Sequence, residues 1–512
     1  MKSDKSTLQP SNGLAKGGND GASSFAQERE RMGQHIHKLG GFRNSFFVPP
    51  GQGGGEGERS PKGRVYAAIE VPEPDEQSAR NQHSDQEPVL LECVDTTWFH
   101  TVQGGDLRAS WIDIYQTAPL SVLELTRYPL PPFPDGAQPG DIAWYEFGYE
   151  RSSNEESDAT IYTSLFSDGT AVKISFHEPR QMGWQGNGPM GSTGWLAGSR
   201  RLLSQTEPTL KDIRRRLAQV DCSGGVALYD VGQGACQAGL ESFFHLPALY
   251  IDFGGGVLTN RKTFPAEMVG FCFSRDPMIV LSHWDWDHWS SAYRQESSMN
   301  TIWLAPPVPM KPIQQAFAAD LYVRGSLAIW DSSWPSEINA GCVKIERCTG
   351  HTSNDSGLAV TLKPTVRSKR NCLLPGDAAY AHIPSVLAGA TFNGIAMTHH
   401  GGKLHSPDYP KPKRGGASGL SVGPRNSYKH PFFETLSTHL NMGWKLPLAT
   451  ATSGQRPCHV LLPWGAQPVS FQGGCHGHEC SVAISALMPG QSGTIKLARP
   501  NVLKKSKALV AA

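Results

Sequence analysis

The chain contains no run of about eighteen consecutive apolar residues, so no segment is expected to span a bilayer. It also lacks an excess of either charge: 47 Lys and Arg stand against 46 Asp and Glu, which excludes the overall basic field that gathers nucleic acid. Any polyanion site must therefore be local. Cysteine is sparse, ten residues in 512, too few and too scattered for a disulfide framework, and a reducing, cytoplasmic setting is the simpler expectation. The stretch from Met1 to Asn44 is polar and lacks the apolar centre of a secretory signal. Residues 1–85 have few apolar clusters and include Gly51-Gln52-Gly53-Gly54-Gly55-Glu56-Gly57. That composition cannot offset the entropy of ordering, so a disordered tail is expected.

What is present is 38% hydrophobic residues, enough for a substantial core, in a chain long enough for more than one domain. Between residues 86 and 182, short runs such as Trp111 to Tyr115, Ile142 to Tyr145 and Ala171 to Ile174 alternate with Pro and Gly turns, and a small β-rich domain of unreadable role is expected. Residues 183–224 form a Gly-rich connector leading to a helix near Leu210 to Val220. Its Lys211, Arg214, Arg215 and Arg216 read as a solvated face, with nucleic-acid contact as the minority reading. Residues 225–498 alternate strands with a few helices, and residues 499–512 form a basic tail. Val226 to Val231 and Ala248 to Phe253 read as neighbouring buried strands, followed by Gly232-Gln233-Gly234 and Gly254-Gly255-Gly256, where the backbone can approach another group closely.

The densest chemistry lies in Ser282-His283-Trp284-Asp285-Trp286-Asp287-His288, directly after the apolar run Met278 to Leu281. Two imidazoles and two carboxylates this close would repel one another or stay unpaired without a cation, and the mixed donor set suits Zn, Mn or Fe. Further strand ends carry polar groups: Cys372 to Asp377 ends in a carboxylate, and Gly394 to Gly401 ends in His399-His400-Gly401. Trp284, Trp286 and Trp289 could stack bases at about 1–3 kcal/mol each, but indoles so placed are more often core, which is the favoured reading.

Taken together, Asp230 to Gly234, the His-x-Asp-x-Asp-His stretch His283 to His288, Gly376-Asp377 and His399-His400-Gly401 resemble, in order and spacing, the soluble hydrolase domain of ComEC-type DNA-uptake proteins. Leu420-Ser421-Val422-Gly423, Asn426, His430-Pro431 and Thr452-Ser453-Gly454 are similar to later elements of that family. Two positions depart from it: Ala235 follows Gly234 where the family has Asp, and Gly402 stands where it commonly has Ser. The transmembrane channel of the uptake proteins has no counterpart here, so DNA transport is not expected.

The resemblance implies an α/β chain with the metallo-β-lactamase αββα four-layer sandwich over residues 225–498 and two divalent ions, Zn or Mn with Mg possible, at one edge. By that resemblance His283 and Asp285 bind one ion, Asp287 and His288 the other, Asp377 bridges, and His399 completes the second site. His351 and Asn354 share the remaining position as alternatives. The catalytic set is Asp287, His400, which would protonate a leaving oxygen, and Lys403, which would stabilise developing charge. Ser421, Asn426 and His430 are expected at the substrate. A carboxylate at Asp285, where imidazole is commoner, shifts the preference toward Mn or Mg.

Two such ions can lower the pKa of a shared water and neutralise charge on an attacked ester, so hydrolysis is favoured. Lys403, His405, Lys411, Lys413 and Arg414 follow the paired histidines in a Pro/Gly-rich loop, and this local basic cluster points to a phosphodiester in a nucleic acid or nucleotide. The rival is a lactone, thioester or β-lactam hydrolase, and a third reading is a non-catalytic interaction protein. Cys458-His459 with Cys475-His476-Gly477-His478-Glu479-Cys480 could form a structural zinc site, although no closed Cys-x2-Cys pair is present and buried thiols are favoured.

Overall fold

A computed structural model describes residues 44–49, 62–73, 88–104, 116–126, 132–133, 135–175, 208–241, 246–268, 270–307, 311–404, 408–450 and 456–471. The strands β1 (Lys62–Glu70), β2 (Val89–Asp95), β3 (Leu120–Leu125), β4 (Ile142–Arg151), β5 (Ala159–Tyr162) and β6 (Thr170–Ser175) close into a barrel in the order β1-β2-β3-β5-β6-β4. Closure is antiparallel throughout, β1 pairing with both β2 and β4. The barrel is filled by residues such as Val65, Ala67, Leu91, Leu123, Tyr145 and Phe147.

This corrects the expected tail. Val65 to Ile69 form an unbroken buried run, and burying it supplies what the surrounding Gly-rich sequence cannot. Phe46 and Phe47 are buried as well, with Phe47 stacked on Tyr293 at 4.5 Å between ring centroids. The β-rich domain therefore begins before residue 86. The run from Trp111 to Tyr115, the Gly-rich connector and the C-terminal basic tail lie outside the described residues.

Helix α1 (Thr96–Gly104) follows β2, and helix α2 (Leu210–Ala218) leads into the second half. Thr209 and Asp212 form a capping box that starts α2. Ile213 and Leu217 face the core, Lys211, Arg214 and Arg215 are exposed, and Arg216 pairs with Asp276, as a solvated basic face requires.

The second half contains β7 (Gly225–Leu228), β8 (Cys236–Leu240), β9 (Pro247–Phe253), β10 (Met278–Val280), β11 (Trp303–Ala305), helix α3 (Pro312–Val323), β12 (Leu327–Ile329), β13 (Glu337–Ala340), β14 (Val343–Arg347), β15 (Leu358–Leu362), β16 (Cys372–Leu374), β17 (Thr391–Ala396), β18 (Lys411–Leu420), helix α4 (Phe433–Asn441), β19 (Leu448–Ala449), β20 (His459–Leu462) and β21 (Val469–Phe471). One mixed sheet runs β12-β11-β10-β9-β8-β7-β20-β21, the other β13-β14-β15-β16-β17-β18-β19. β8 lies between β7 and β9, which are therefore not neighbours. A single core unites the sheets: Val226, Leu249 and Val280 from one pack with Ile345, Val360 and Cys372 from the other. Helices are few around this pair of sheets, and among the described residues none is long and apolar enough to cross a membrane.

Barrel and sheets form one compact unit. Leu258 N–H donates to the Leu165 carbonyl at 2.8 Å, and the Arg294 guanidinium lies over both Phe166 and Phe264.

Candidate metal centre

The strands set the site by where they stop. β9 carries Asp252 as its next-to-last residue, β10 leads to His283, β16 to Asp377, β17 to His399 and His400, and β18 to Ser421. Leu358 N–H at the start of β15 donates to the Ser282 carbonyl at 2.8 Å, tying the two sheets together beside the site. Glycine permits the close approach: a Cβ at Gly234 or Gly254 would overlap the Asp287 carbonyl, which accepts from Ala235 N–H at 2.9 Å. The glycine turns thus support the ligand-bearing backbone, and Ala235 serves it through its amide.

Asp377 is the centre of the arrangement. Its Oδ1 lies 3.2 Å from His288 Nε2 and 3.8 Å from His400 Nε2; its Oδ2 lies 3.8 Å from both His283 Nε2 and His399 Nε2. Asp287 adds Oδ2 at 3.3 Å from His400 Nε2, and Asp285 adds Oδ2 at 3.7 Å from His283 Nε2. Two atoms each about 2.1 Å from a tetrahedral ion lie about 3.4 Å apart, so these spacings suit a shared cation. Among the described residues, His283, His288 and Asp377 form one group able to hold a metal ion, and Asp287, His288 and His400 form another.

The nitrogens facing away from the centre have partners that orient the rings. His288 Nδ1 faces Asp252 Oδ2 at 2.9 Å, His400 Nδ1 the Ser421 carbonyl at 3.0 Å, and His283 Nδ1 the Ser282 hydroxyl at 3.0 Å. Each inward Nε2 is thereby presented as a lone pair, the arrangement typical of metal-ligating histidine. His283 Nε2 is buried without a hydrogen-bond partner, and so is Asn354 Oδ1. Those two atoms are what a cation would satisfy.

Electrostatics agree. Burial opposes charge on His288, yet Asp377, Asp252 and Asp287 hold its pKa well above the ordinary imidazole value. Burial likewise pushes Asp377 up, but His288, His400 and His399 hold it well below the carboxylate range. His283 is lowered, by burial first and then by His288. The cluster demands positive charge, and divalent ions would supply it while leaving the imidazoles neutral.

The structure separates the sequence-expected residues. His283, Asp285, Asp287, His288 and Asp377 come together. Both paired histidines reach the centre: buried His400 joins Asp287 and His288 in one group, and His399, partly exposed on the cavity wall, lies 3.8 Å from Asp377 Oδ2 on the side of His283. Of the two alternatives on the following loop, Asn354 lines the cavity; His351 is exposed and does not. Lys403 and His430 line the cavity. The Ser421 hydroxyl donates instead to the Gly234 carbonyl, and Asn426 is consumed within its own turn, donating to the Gly423 and His430 carbonyls and accepting from His430 N–H. Lys411, Lys413 and Arg414 are not at the site: they begin β18, whose opposite end leads to Ser421, about 25 Å of extended chain away. His405, Thr452 to Gly454 and Cys475 to Cys480 lie outside the described residues, and Cys458 is buried with a free thiol.

Two of the tryptophans are core: Trp289 is stacked on Phe317 and donates to the Trp284 carbonyl, and Trp284 donates to the Pro307 carbonyl, whereas Trp286, although buried, lines the cavity. Residues with no assigned role in the sequence also serve the site. Asp252 was visible only as a carboxylate at the end of a buried strand before three glycines. Lys311, Glu70 and Glu92 carried no local signal. Lys311 Nζ lies 3.5 Å from Asp285 Oδ1, and Glu70 and Lys311 line the cavity of about 760 Å³ that opens onto the metal cluster.

No protein-family profile matches the chain, and no curated protein does. Solved structures that resemble it include a variant of the CmlA β-hydroxylase, at 9% identity and a TM-score of 0.26 over 59% of this chain and 67% of that one. CmlA from Streptomyces venezuelae, a diiron β-hydroxylase, resembles it at 10% identity and a TM-score of 0.22 over 47% of this chain and 49% of that one.

Proposed function

We propose that the chain is a metal-dependent hydrolase on a metallo-β-lactamase-type αββα sandwich similar to the ComEC hydrolase domain, acting on a phosphodiester. The observation that carries this reading is the two-sided environment of Asp377, with two imidazoles facing each of its oxygens and a further carboxylate, Asp285 or Asp287, beside each pair. A pair of divalent ions there, Mn or Zn with Mg possible, would supply Lewis acidity and an activated water.

The chain's own groups do the rest. Asp285, Asp287, His283, His288, His400 and Asp377 bind the ions, with Asn354 as a further oxygen donor. His399, half-exposed on the cavity wall, holds a proton within reach of a leaving oxygen, the role expected from sequence for His400. Lys403 places an ammonium on the rim, where it attracts an anionic ester. The cavity of about 760 Å³ suits a nucleotide-sized substrate. With Lys411, Lys413 and Arg414 elsewhere, a substrate of nucleotide or short single-stranded size fits better than a long duplex.

A second reading, hydrolysis of a lactone, thioester or β-lactam, is favoured by the apolar wall of Ile69, Pro72, Val89, Leu90, Val257 and Leu258. The test is a panel of bis(p-nitrophenyl) phosphate, a cyclic nucleotide, single-stranded DNA, RNA, a lactone and nitrocefin, each with Mn, Mg and Zn. Phosphodiester turnover that disappears in Asp377→Ala supports the proposal. Turnover confined to the lactone or nitrocefin would replace it with the second reading, and two bound metals with no turnover on any substrate would leave the interaction-protein reading.

A further inference from the structure

The two metal groups are supported from different parts of the fold. The second, around Asp287, His288 and His400, is oriented largely from within the paired sheets, by Asp252, the Ser421 carbonyl and the glycine turns at Gly234 and Gly254. The first, around His283, His288 and Asp377, with Asp285 beside it and Asn354 on the cavity wall, is gripped by the barrel as well.

Three contacts make that grip. Glu70, the last residue of β1, accepts from both the backbone N–H and the hydroxyl of Ser353 at 2.6 Å, fixing the loop immediately before Asn354. Gly140, on the barrel turn before β4, packs under the same loop so closely that a Cβ there would overlap the His351 carbonyl. Glu92 on β2, almost fully buried, accepts from Trp286 Nε1 at 3.1 Å and from Ile313 N–H at 2.7 Å. Trp286 sits between Asp285 and Asp287 in the chain, and Ile313 is in the first turn of α3. Lys311, just before α3, faces Asp285. One barrel carboxylate therefore fixes Trp286 and the position from which Lys311 reaches Asp285.

We propose that the barrel is part of the metal centre, with Glu70 a positioning residue for the first ion through the Ser353–Asn354 loop and Glu92 a positioning residue for the 283–288 loop, which carries ligands of both ions. A barrel serving only as an appended module would leave a hydrophobic or water-filled boundary here. Instead it places two carboxylates, each with two donors: Glu70 on the Ser353–Asn354 loop, and Glu92 on Trp286 of the 283–288 loop and on Ile313 at the start of α3. Outer partners of metal ligands typically affect affinity by about 10–100-fold. The inference rests on the metal-centre reading and is independent of which ester is hydrolysed.

The test uses the full chain and measures metal, not turnover. Metal-depleted wild type, E70Q, E92Q, E70Q/E92Q and S353A are titrated with Mn or Zn against a chromophoric chelator, and bound metal is counted by elemental analysis. The expected result is two ions in wild type. In E70Q one ion stays at wild-type affinity and the other is weakened about 10–100-fold; in the double variant the second ion is weakened as well. S353A should weaken the same ion as E70Q, and their combination should add little, because both act on the contact between Glu70 and Ser353. Lys173→Ala, which breaks an exposed barrel ion pair with Glu156, should change neither ion. Two ions at wild-type affinity in a folded double variant would overturn the proposal, as would equal weakening of both ions in E70Q or S353A. If the double variant does not fold, S353A decides alone, since it leaves the barrel intact. A wild-type protein that binds no ion would sink the metal-centre reading itself, and this inference with it.

Discussion

His288 Nδ1 lies 2.9 Å from Asp252 Oδ2, and both side chains are fully buried. Asp252 also accepts from Ser282 N–H at 2.7 Å and from the Ser282 hydroxyl at 2.9 Å, so one carboxylate at the end of β9 orients His288 and the backbone leading into His283. Asp252→Asn keeps the size but removes the charge and leaves a single acceptor oxygen. Both ions should then bind more weakly, by about 10–100-fold, since His288 and the Ser282–His283 backbone lose their partner together. Chelator competition giving wild-type affinity for both ions would show that this hydrogen bond only holds the fold.

The paired histidines should separate under mutation. His400→Ala removes a buried imidazole from the second group and is expected to lose close to one ion per chain along with activity. His399→Ala should keep most of its metal and lose kcat on substrates with poor leaving groups, as expected for a proton donor. Metal counting with kinetics on p-nitrophenolate and alkoxide leaving groups distinguishes the two. Equal metal loss in both variants would make His399 a ligand too.

Lys411, Lys413 and Arg414 should be dispensable for chemistry. The Lys413 ammonium is engaged by the Lys369 carbonyl and Asn371, far from the metals. Replacing all three by Ala should leave kcat/KM on bis(p-nitrophenyl) phosphate within about twofold and cost no more than about 1 kcal/mol of stability. A tenfold loss of turnover would return these residues to the substrate path.

Glu92 gives a pH signature in metal-depleted protein. Burial pushes its carboxyl from the ordinary 4.5 to about 7, in spite of Lys311. The folded chain therefore keeps this proton to higher pH than the unfolded chain. The resulting stability is complete below about pH 4.5 and is lost as pH rises through about 7. Denaturant melts should show wild type losing roughly 2–3 kcal/mol relative to Glu92→Gln between pH 5 and pH 8. A difference that stays constant over that range would mean Glu92 is ionised throughout.

Much of the centre was legible along the chain because its donors lie next to strand ends, where a local apolar run and the polar residues after it appear in a single reading frame. His283, Asp285, Asp287, His288 and Asp377 are of this kind. The separate places of His399 and His400 were not legible, since both residues adopt positive φ and the Ser421 carbonyl that holds the His400 ring comes from another strand end. The basic cluster follows His400 closely in sequence but not in space. A ten-residue strand, β18, carries Lys411, Lys413 and Arg414 to its far end.

By itself the sequence determined the ligand types, their strand-end placement and the neutral overall charge, for these depend on local pattern and composition. Only the tertiary structure decided that β1, embedded in a Gly-rich segment, belongs to the barrel, and that Glu70, Glu92 and Lys311 meet the metal loops. The reason is physical. Ser353 lies 283 residues from Glu70, and Ile313 lies 221 from Glu92. A buried hydrogen bond over such a separation depends on how barrel and sheets pack together, a property that no local periodicity encodes.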